Sequence, residues 1–150
     1  MRVLYVNHTA RISGGERSLL ELLAGLEGRI QASVAVPAGP FSRALAARGV
    51  PVHAIRGTDG SLKPHLLRTP RAIAELADAA WRVHRIARRE RIDLVHANSV
   101  RAGVVAAVAA RLGGPPAVVH VRDVLPNGLL TRLTRATVGA GASAVVGNSA

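Results

Sequence analysis

The strongest constraint on this chain is a rhythm of short β-branched, apolar runs, each followed by a stretch of helical period. The runs are RVLYV at residues 2–6, QASVAV at 31–36, VPVHAI at 50–55, IDLVHA at 92–97, PAVVHV at 116–121 and SAVVGN at 143–148. The first is apolar at consecutive positions, which reads as a strand buried on both faces. Between the runs, Leu19, Leu20, Leu22, Leu23 and Leu26 recur at helical spacing, and PFSRALAARG reads as a short helix opened by Pro40 and closed by Gly49. A long helix is expected from about 70 to 91. RAGVVAAVAARL at 101–112 is apolar nearly all round, as a buried helix is, and a further helix is expected near 128–137. Strands alternating with helices imply an α/β chain with a mostly parallel sheet between two helical layers and right-handed crossovers. A length of 150 residues suits one such domain. The stretch 56–70 is the longest irregular segment, of a kind that is often functional or mobile.

Ligands on such sheets bind beyond the carboxyl ends of the strands. Polar residues collect there: Asn7 and His8, Asn98 and Ser99, His120, Arg122 and Asp123, and Asn148 and Ser149. Between the first strand and the first helix stands SGGE, residues 13–16. The first turn of a helix leaves backbone N–H groups without acceptors and carries the positive end of the dipole, and glycine lets an anion come close. Gly14 and Gly15 therefore read either as a phosphate-binding entrance or as a tight turn in which Ser13 caps the helix and Glu16 favours its first turn. The spacing is not the G-x-G-x-x-G of dinucleotide binders, and no acidic residue closes the second strand, so a nicotinamide cofactor is disfavoured. A phospho-receiver domain is disfavoured too, since no acidic pair follows the first strand.

Charge narrows the partners. The formal net charge is +11, with Lys63 the only lysine among 20 cations. Tyr5, Phe41 and Trp81 are scattered rather than interleaved with basic residues, so the chain lacks the stacking platforms of a nucleic-acid reader. The densest basic stretch is WRVHRIARRER, in which Arg82, Arg85 and Arg89 share a helical face opposite Ile73, Leu76, Ala80, Val83 and Ala87. That face reads either as plainly solvated or as a contact with an anionic membrane surface or polyanion. There is no cysteine, which excludes disulfides and thiolate metal sites and is compatible with a reducing cytoplasm. No apolar run reaches the ~18 residues of a membrane span, so the chain is expected to be soluble, peripheral to a membrane at most.

The order of these pieces resembles the N-terminal domain of a glycosyltransferase family 4 enzyme with the GT-B fold. The carriers are SGGERSLLELLAGL after the first strand, IDLVHANS before a small-residue helix ending AARLGGPP, then VVHVRD, and finally AVVGNSA. The resemblance spans essentially the whole chain. It implies a Rossmann-like three-layer α/β/α sandwich forming one half of a retaining, nucleotide-sugar-dependent transferase. In that scheme residues 1–150 are the acceptor-binding domain and a C-terminal, donor-binding domain lies outside them. It further implies that Gly14 and Gly15, with Glu16, face the cleft near a phosphate of donor or acceptor.

At the position where many relatives carry a histidine close to the reacting sugar, this chain has Arg122, with His120 two residues earlier. Arg122 is then a candidate phosphate ligand and His120 either a site residue or a core histidine. Asp123 is a candidate ligand group or a partner of Arg122. Asn98 and Ser99 are candidates for acceptor hydroxyls, or a helix cap. No catalytic residue is assigned beyond the candidates His120, Arg122 and Asp123. No metal is implied, since the chain has no Asp-x-Asp triplet, and no cofactor, the nucleotide sugar being a substrate. Relatives carry two glutamates separated by seven residues in the C-terminal domain, and no glutamate here has that spacing. The expectation is therefore a monomeric half-enzyme that transfers no sugar alone. Two other readings remain: the N-terminal half of a nucleotide-sugar epimerase, and a non-enzymatic module with a basic face.

Overall fold

In a computed structural model, residues 1–57, 70–122 and 128–147 are described. The expected irregular stretch 56–70 falls almost wholly outside them, as do Asp123, Asn148 and Ser149. The elements run β1 (Arg2–Val6), α1 (Gly14–Gly25), β2 (Gln31–Val36), α2 (Pro40–Ala46), β3 (Val52–Ala54), α3 (Pro70–Arg89), β4 (Leu94–Ala97), α4 (Val100–Arg111), β5 (Ala117–Val121), α5 (Leu129–Gly141) and β6 (Ala144–Gly147). All six strands are parallel, in the order β3-β2-β1-β4-β5-β6. This is the Rossmann-like α/β sandwich that the alternation of runs implies.

The strands sort their side chains by parity, because successive Cβ atoms point to opposite faces. Val3 and Tyr5 of β1 join Leu19 and Leu23 of α1 and Phe41 and Leu45 of α2 in one apolar layer. Leu4 and Val6 join Ala80 and Val83 of α3 and Ala102, Val105, Ala106 and Ala109 of α4 in the other. All four of these β1 residues are buried, so the strand is covered on both faces as its unbroken apolar run predicts.

Several boundaries differ from expectation for identifiable reasons. β3 is three residues rather than six, because Pro51 has no N–H to donate, although its carbonyl still accepts from Val34 N at 2.9 Å. α5 continues four residues beyond its expected end. A Cβ at Gly141 would lie 2.4 Å from the Ala107 carbonyl oxygen, so the glycine serves the close approach of α5 to α4. Arg91, at φ 52°, turns the chain out of α3, and Ile92 N–H donates to Ala87 O at 2.8 Å. Ile73 departs from the core face assigned to it. It is 59% exposed, and among the described side chains of α3 the packed stripe begins with Leu76.

α4 packs on β5 through Gly103, where an added Cβ would stand 2.4 Å from Val119 Cγ1. Val119 is fully buried and has little room to yield. Gly103→Ala is expected to destabilise the fold by about 1–3 kcal/mol through overpacking, read as a lower urea midpoint. An unchanged midpoint would mean that α4 can slide off the sheet without penalty.

Candidate functional site

The crossovers from β1 go one way along the sheet and those from β4 the other, so the strand order reverses between these two neighbours. A crevice opens beyond the strand ends at such a switch point. Asn7 follows β1 and Asn98 follows β4, and both are buried. Their backbones extend the sheet by one bond each, Asn7 N to Ala35 O at 2.9 Å and Asn98 N to Val6 O at 3.0 Å.

Their side chains form one hydrogen-bonded chain beneath the entrance of α1. Asn98 Nδ2 donates to Asn7 Oδ1 at 3.0 Å and to the Gly15 carbonyl at 3.2 Å. Asn7 Nδ2 donates to Glu16 Oε1 at 3.1 Å and to Thr9 O at 2.9 Å. The other carboxylate oxygen of Glu16 accepts from Ser13 N at 3.0 Å and from the Ser13 hydroxyl. Glu16 is 4% exposed. Burial would push its carboxyl up, but the bonds from Ser13 and Asn7 outweigh burial and hold it below the usual range.

Ser13 is thus the N-cap of α1, with Gly14, Gly15 and Glu16 as its first three helical residues. Neither glycine is demanded by the fold. Both have ordinary φ, a Cβ on Gly14 would meet nothing within 4 Å, and one on Gly15 would meet only Arg122 Cδ at 3.7 Å. Gly39 is different: its Cβ would lie 2.6 Å from that of Ala10, so the loop after β1 is pressed onto the start of α2, where Phe41 N donates to Ala10 O at 2.9 Å.

Arg122, beyond β5, brings its aliphatic stem to Gly15 and its Nη2 to His120 Nδ1 at 3.2 Å. A guanidinium only donates, so Nδ1 of His120 is the acceptor. The Nε of Arg122 is buried with no hydrogen-bond partner among the described residues, as is Oδ1 of Asn98. Tyr5, His96 and His120 stand edge to face across β1, β4 and β5, with ring centroids 5.1 and 6.0 Å apart. Burial, with the nearby His120 and Arg122, lowers the His96 pKa from 6.5 to about 4, so His96 is neutral at pH 7. Ser99 caps α4, accepting from Ala102 N at 3.2 Å, and its hydroxyl meets His8 Nδ1 at 2.8 Å.

The structure therefore brings Gly14, Gly15, Glu16, Asn98, His120 and Arg122 to one end of the sheet, while Asp123 lies outside the described residues. Asn7, the hub of the polar chain, stands out in sequence only as the first polar residue after an apolar run. Among the described residues no cluster of three metal-ligating side chains occurs, and no helix is long and apolar enough to cross a membrane.

Comparison with known proteins gives a consistent picture. The profile of the glycosyl transferase 4-like domain family matches residues 13–150. Among solved structures, HepE of Anabaena in complex with UDP and glucose is similar, with 24% identity over 99% of this chain and a TM-score of 0.71. MurG of Acinetobacter baumannii gives 20% identity over 97% of this chain at a TM-score of 0.66. A glycosyltransferase of Rickettsia africae gives 15% over 99% at 0.71. The chain spans 38%, 40% and 36% of these proteins respectively, so it matches one part of larger GT-B glycosyltransferases. No curated protein matches at significant similarity.

Because the His96 pKa is lower folded than unfolded, the unfolded chain binds more protons between about pH 6.5 and 4. The stability held by neutral His96 is complete above that window and declines as pH falls through it, by at most about 1.4 kcal/mol per pH unit. Urea melts at stepped pH should show that slope, and His96→Phe should flatten it. The further drop below about pH 4.5, where Glu16 of the unfolded chain takes up a proton that the folded chain still refuses, should survive in the variant. A wild-type slope in His96→Phe would assign the titration elsewhere.

Proposed function

Because the chain belongs to the glycosyl transferase 4-like domain family, we propose that it is the acceptor-binding half of a retaining glycosyltransferase, which moves a sugar from a nucleotide donor to a hydroxyl acceptor. The donor-binding half belongs, on this reading, to a second domain facing the β1/β4 crevice. The observation that carries the proposal is the pair Gly14 and Gly15. Fold and packing would accept a Cβ at both positions, and a glycine in a helix costs up to ~1 kcal/mol against alanine. An anion at the helix entrance supplies the missing reason, since it needs bare N–H groups at close range.

In this reading the Glu16 carboxylate does not itself touch the ligand. It fixes the loop through Ser13 and Asn7, and what residues 14–16 present to the ligand is backbone. Arg122 supplies the positive charge against Gly15, and its buried Nε, without a partner among the described residues, is a donor for the ligand. His120, held by Arg122, is a candidate contact to the reacting sugar. Asn98 Oδ1 is a candidate acceptor for a sugar hydroxyl. The nucleotide sugar bound by HepE makes UDP-glucose a reasonable donor probe. The reaction is placed in the cytoplasm, consistent with a chain free of cysteine.

Inorganic phosphate or UDP should perturb the amide signals of Gly14, Gly15, Glu16 and Arg17 first. With one wall of the cleft and a few N–H bonds contributing ~1–3 kcal/mol together, affinity should be millimolar at best. Gly15→Val should keep the melting behaviour within about 1 kcal/mol of wild type while abolishing the perturbation. Shifts that persist in Gly15→Val would reduce the glycines to a helix start. In addition, the chain by itself should transfer no glucose from UDP-glucose to any hydroxyl acceptor, and measurable turnover would refute its being only half of the catalytic unit.

A further inference from the structure

α3 lies on the helical layer opposite α1, and its inner stripe of Leu76, Ala79, Ala80, Val83 and Ala87 is packed into the core. The outward positions 73, 77, 81, 85 and 88 follow one another at spacings of four and three, so they form a single stripe. The stripe changes character along the helix. Its first half is apolar, with Ile73 at 59% and Trp81 at 51% exposure. Its second half is cationic, with Arg85 and Arg88 exposed and Arg89 beside them. The Arg85 guanidinium stacks over the Trp81 ring at 4.6 Å from its centroid. Arg82, by contrast, is turned aside to Asp78 in a 2.8 Å ion pair.

We propose that this face of α3 docks the protein on an anionic lipid surface, with Trp81 in the headgroup layer and Arg85, Arg88 and Arg89 against lipid phosphates. The assignment is independent of the sugar-transfer reading. An exposed tryptophan bordered by arginines has an apolar body and a polar margin, which is the pattern that settles at a bilayer interface. The face is the outer side of one helix, and a fluid lipid surface demands no shape complementarity from it. A polyanionic nucleic acid would find charge there but no second aromatic ring on which to stack bases. Charge complementarity also removes Arg82 from the contact set that the sequence pattern suggests, because Asp78 already neutralises it. Arg89 meets Glu90 only at 3.9 Å with 86% of its side chain exposed, so it stays available beside Arg85 and Arg88, and each of the three is worth about fivefold in affinity near a charged membrane.

Trp81 is the sole tryptophan and so reports its own surroundings. The intact chain is titrated with vesicles of mixed phosphatidylglycerol and phosphatidylcholine, with phosphatidylcholine vesicles alone, and with single-stranded RNA, and binding is followed by flotation and Trp81 emission. Expected are a blue shift and quenching by brominated lipid with the anionic vesicles only, weakened as salt rises from about 0.05 to 0.5 M. The variant Arg85→Gln/Arg88→Gln/Arg89→Gln should bind roughly a hundredfold more weakly, and Arg82→Gln should bind like wild type, both with unchanged far-ultraviolet circular dichroism. Equal flotation with neutral vesicles, unaltered emission, or undiminished binding by the triple variant would overturn the proposal. Retention by RNA rather than by anionic vesicles would overturn it in favour of a nucleic-acid surface.

Discussion

The buried amide of Asn7 is the joint on which the end of this sheet depends. Where β1 ends, the chain must leave the sheet, turn over the top of it and start α1, all without leaving buried polar groups unpaired. Asn7 resolves that in one residue. Its backbone continues the pairing with β2, its Oδ1 accepts from Asn98 at the end of β4, and its Nδ2 donates to the Glu16 carboxylate inside α1. Two adjacent strands and a helix are thereby locked in register at the point where the topology reverses. An unsatisfied buried group costs about 1–3 kcal/mol, so the arrangement holds only as a set.

That joint also sets the electrostatics of the crevice. Glu16 places a negative charge under the positive end of α1, with three hydrogen bonds from Asn7 and Ser13 to hold it there. The helix entrance is therefore partly compensated before any ligand arrives, and an anion gains from the glycine N–H groups only what this carboxylate leaves. Arg122 shifts the balance back. Its stem rests on Gly15 and its head reaches His120, so a positive charge stands near the helix entrance. Since neutral His96 adds no charge to the row of rings below, Arg122 is the group through which this end of β5 favours an anion.

The two proposed contact surfaces rest on different levels of the structure. The strand-end crevice belongs to loops that follow parallel strands and depends on tertiary register. The outer stripe of α3 belongs to one helix and depends on nothing but helical periodicity and the ion pair that removes Arg82. A helix whose inner face is all small and branched residues, Ala79, Ala80, Val83 and Ala87, packs flat on its neighbours. Its bulky and charged side chains are left to the outside.

The amino-acid pattern alone determined the class of fold. Consecutive apolar positions in RVLYV read as a strand covered on both faces, and the leucine spacing after SGGE reads as a helix, so a parallel sheet between helices is what the local pattern predicts. The residue types at the strand ends, and the glycines between β1 and α1, were legible for the same reason. Tertiary structure decided what those residues do. That Asn98 reaches Asn7, 91 positions away, rather than solvent, and that Glu16 turns its carboxylate inward, follows from the strand order, which periodicity does not encode. Gly141 and Ile73 show the same limit in the core. One permits a close approach of two helices that no local pattern announces, the other looks like core and is exposed, because what faces a residue is set by the neighbouring element and not by its own helix.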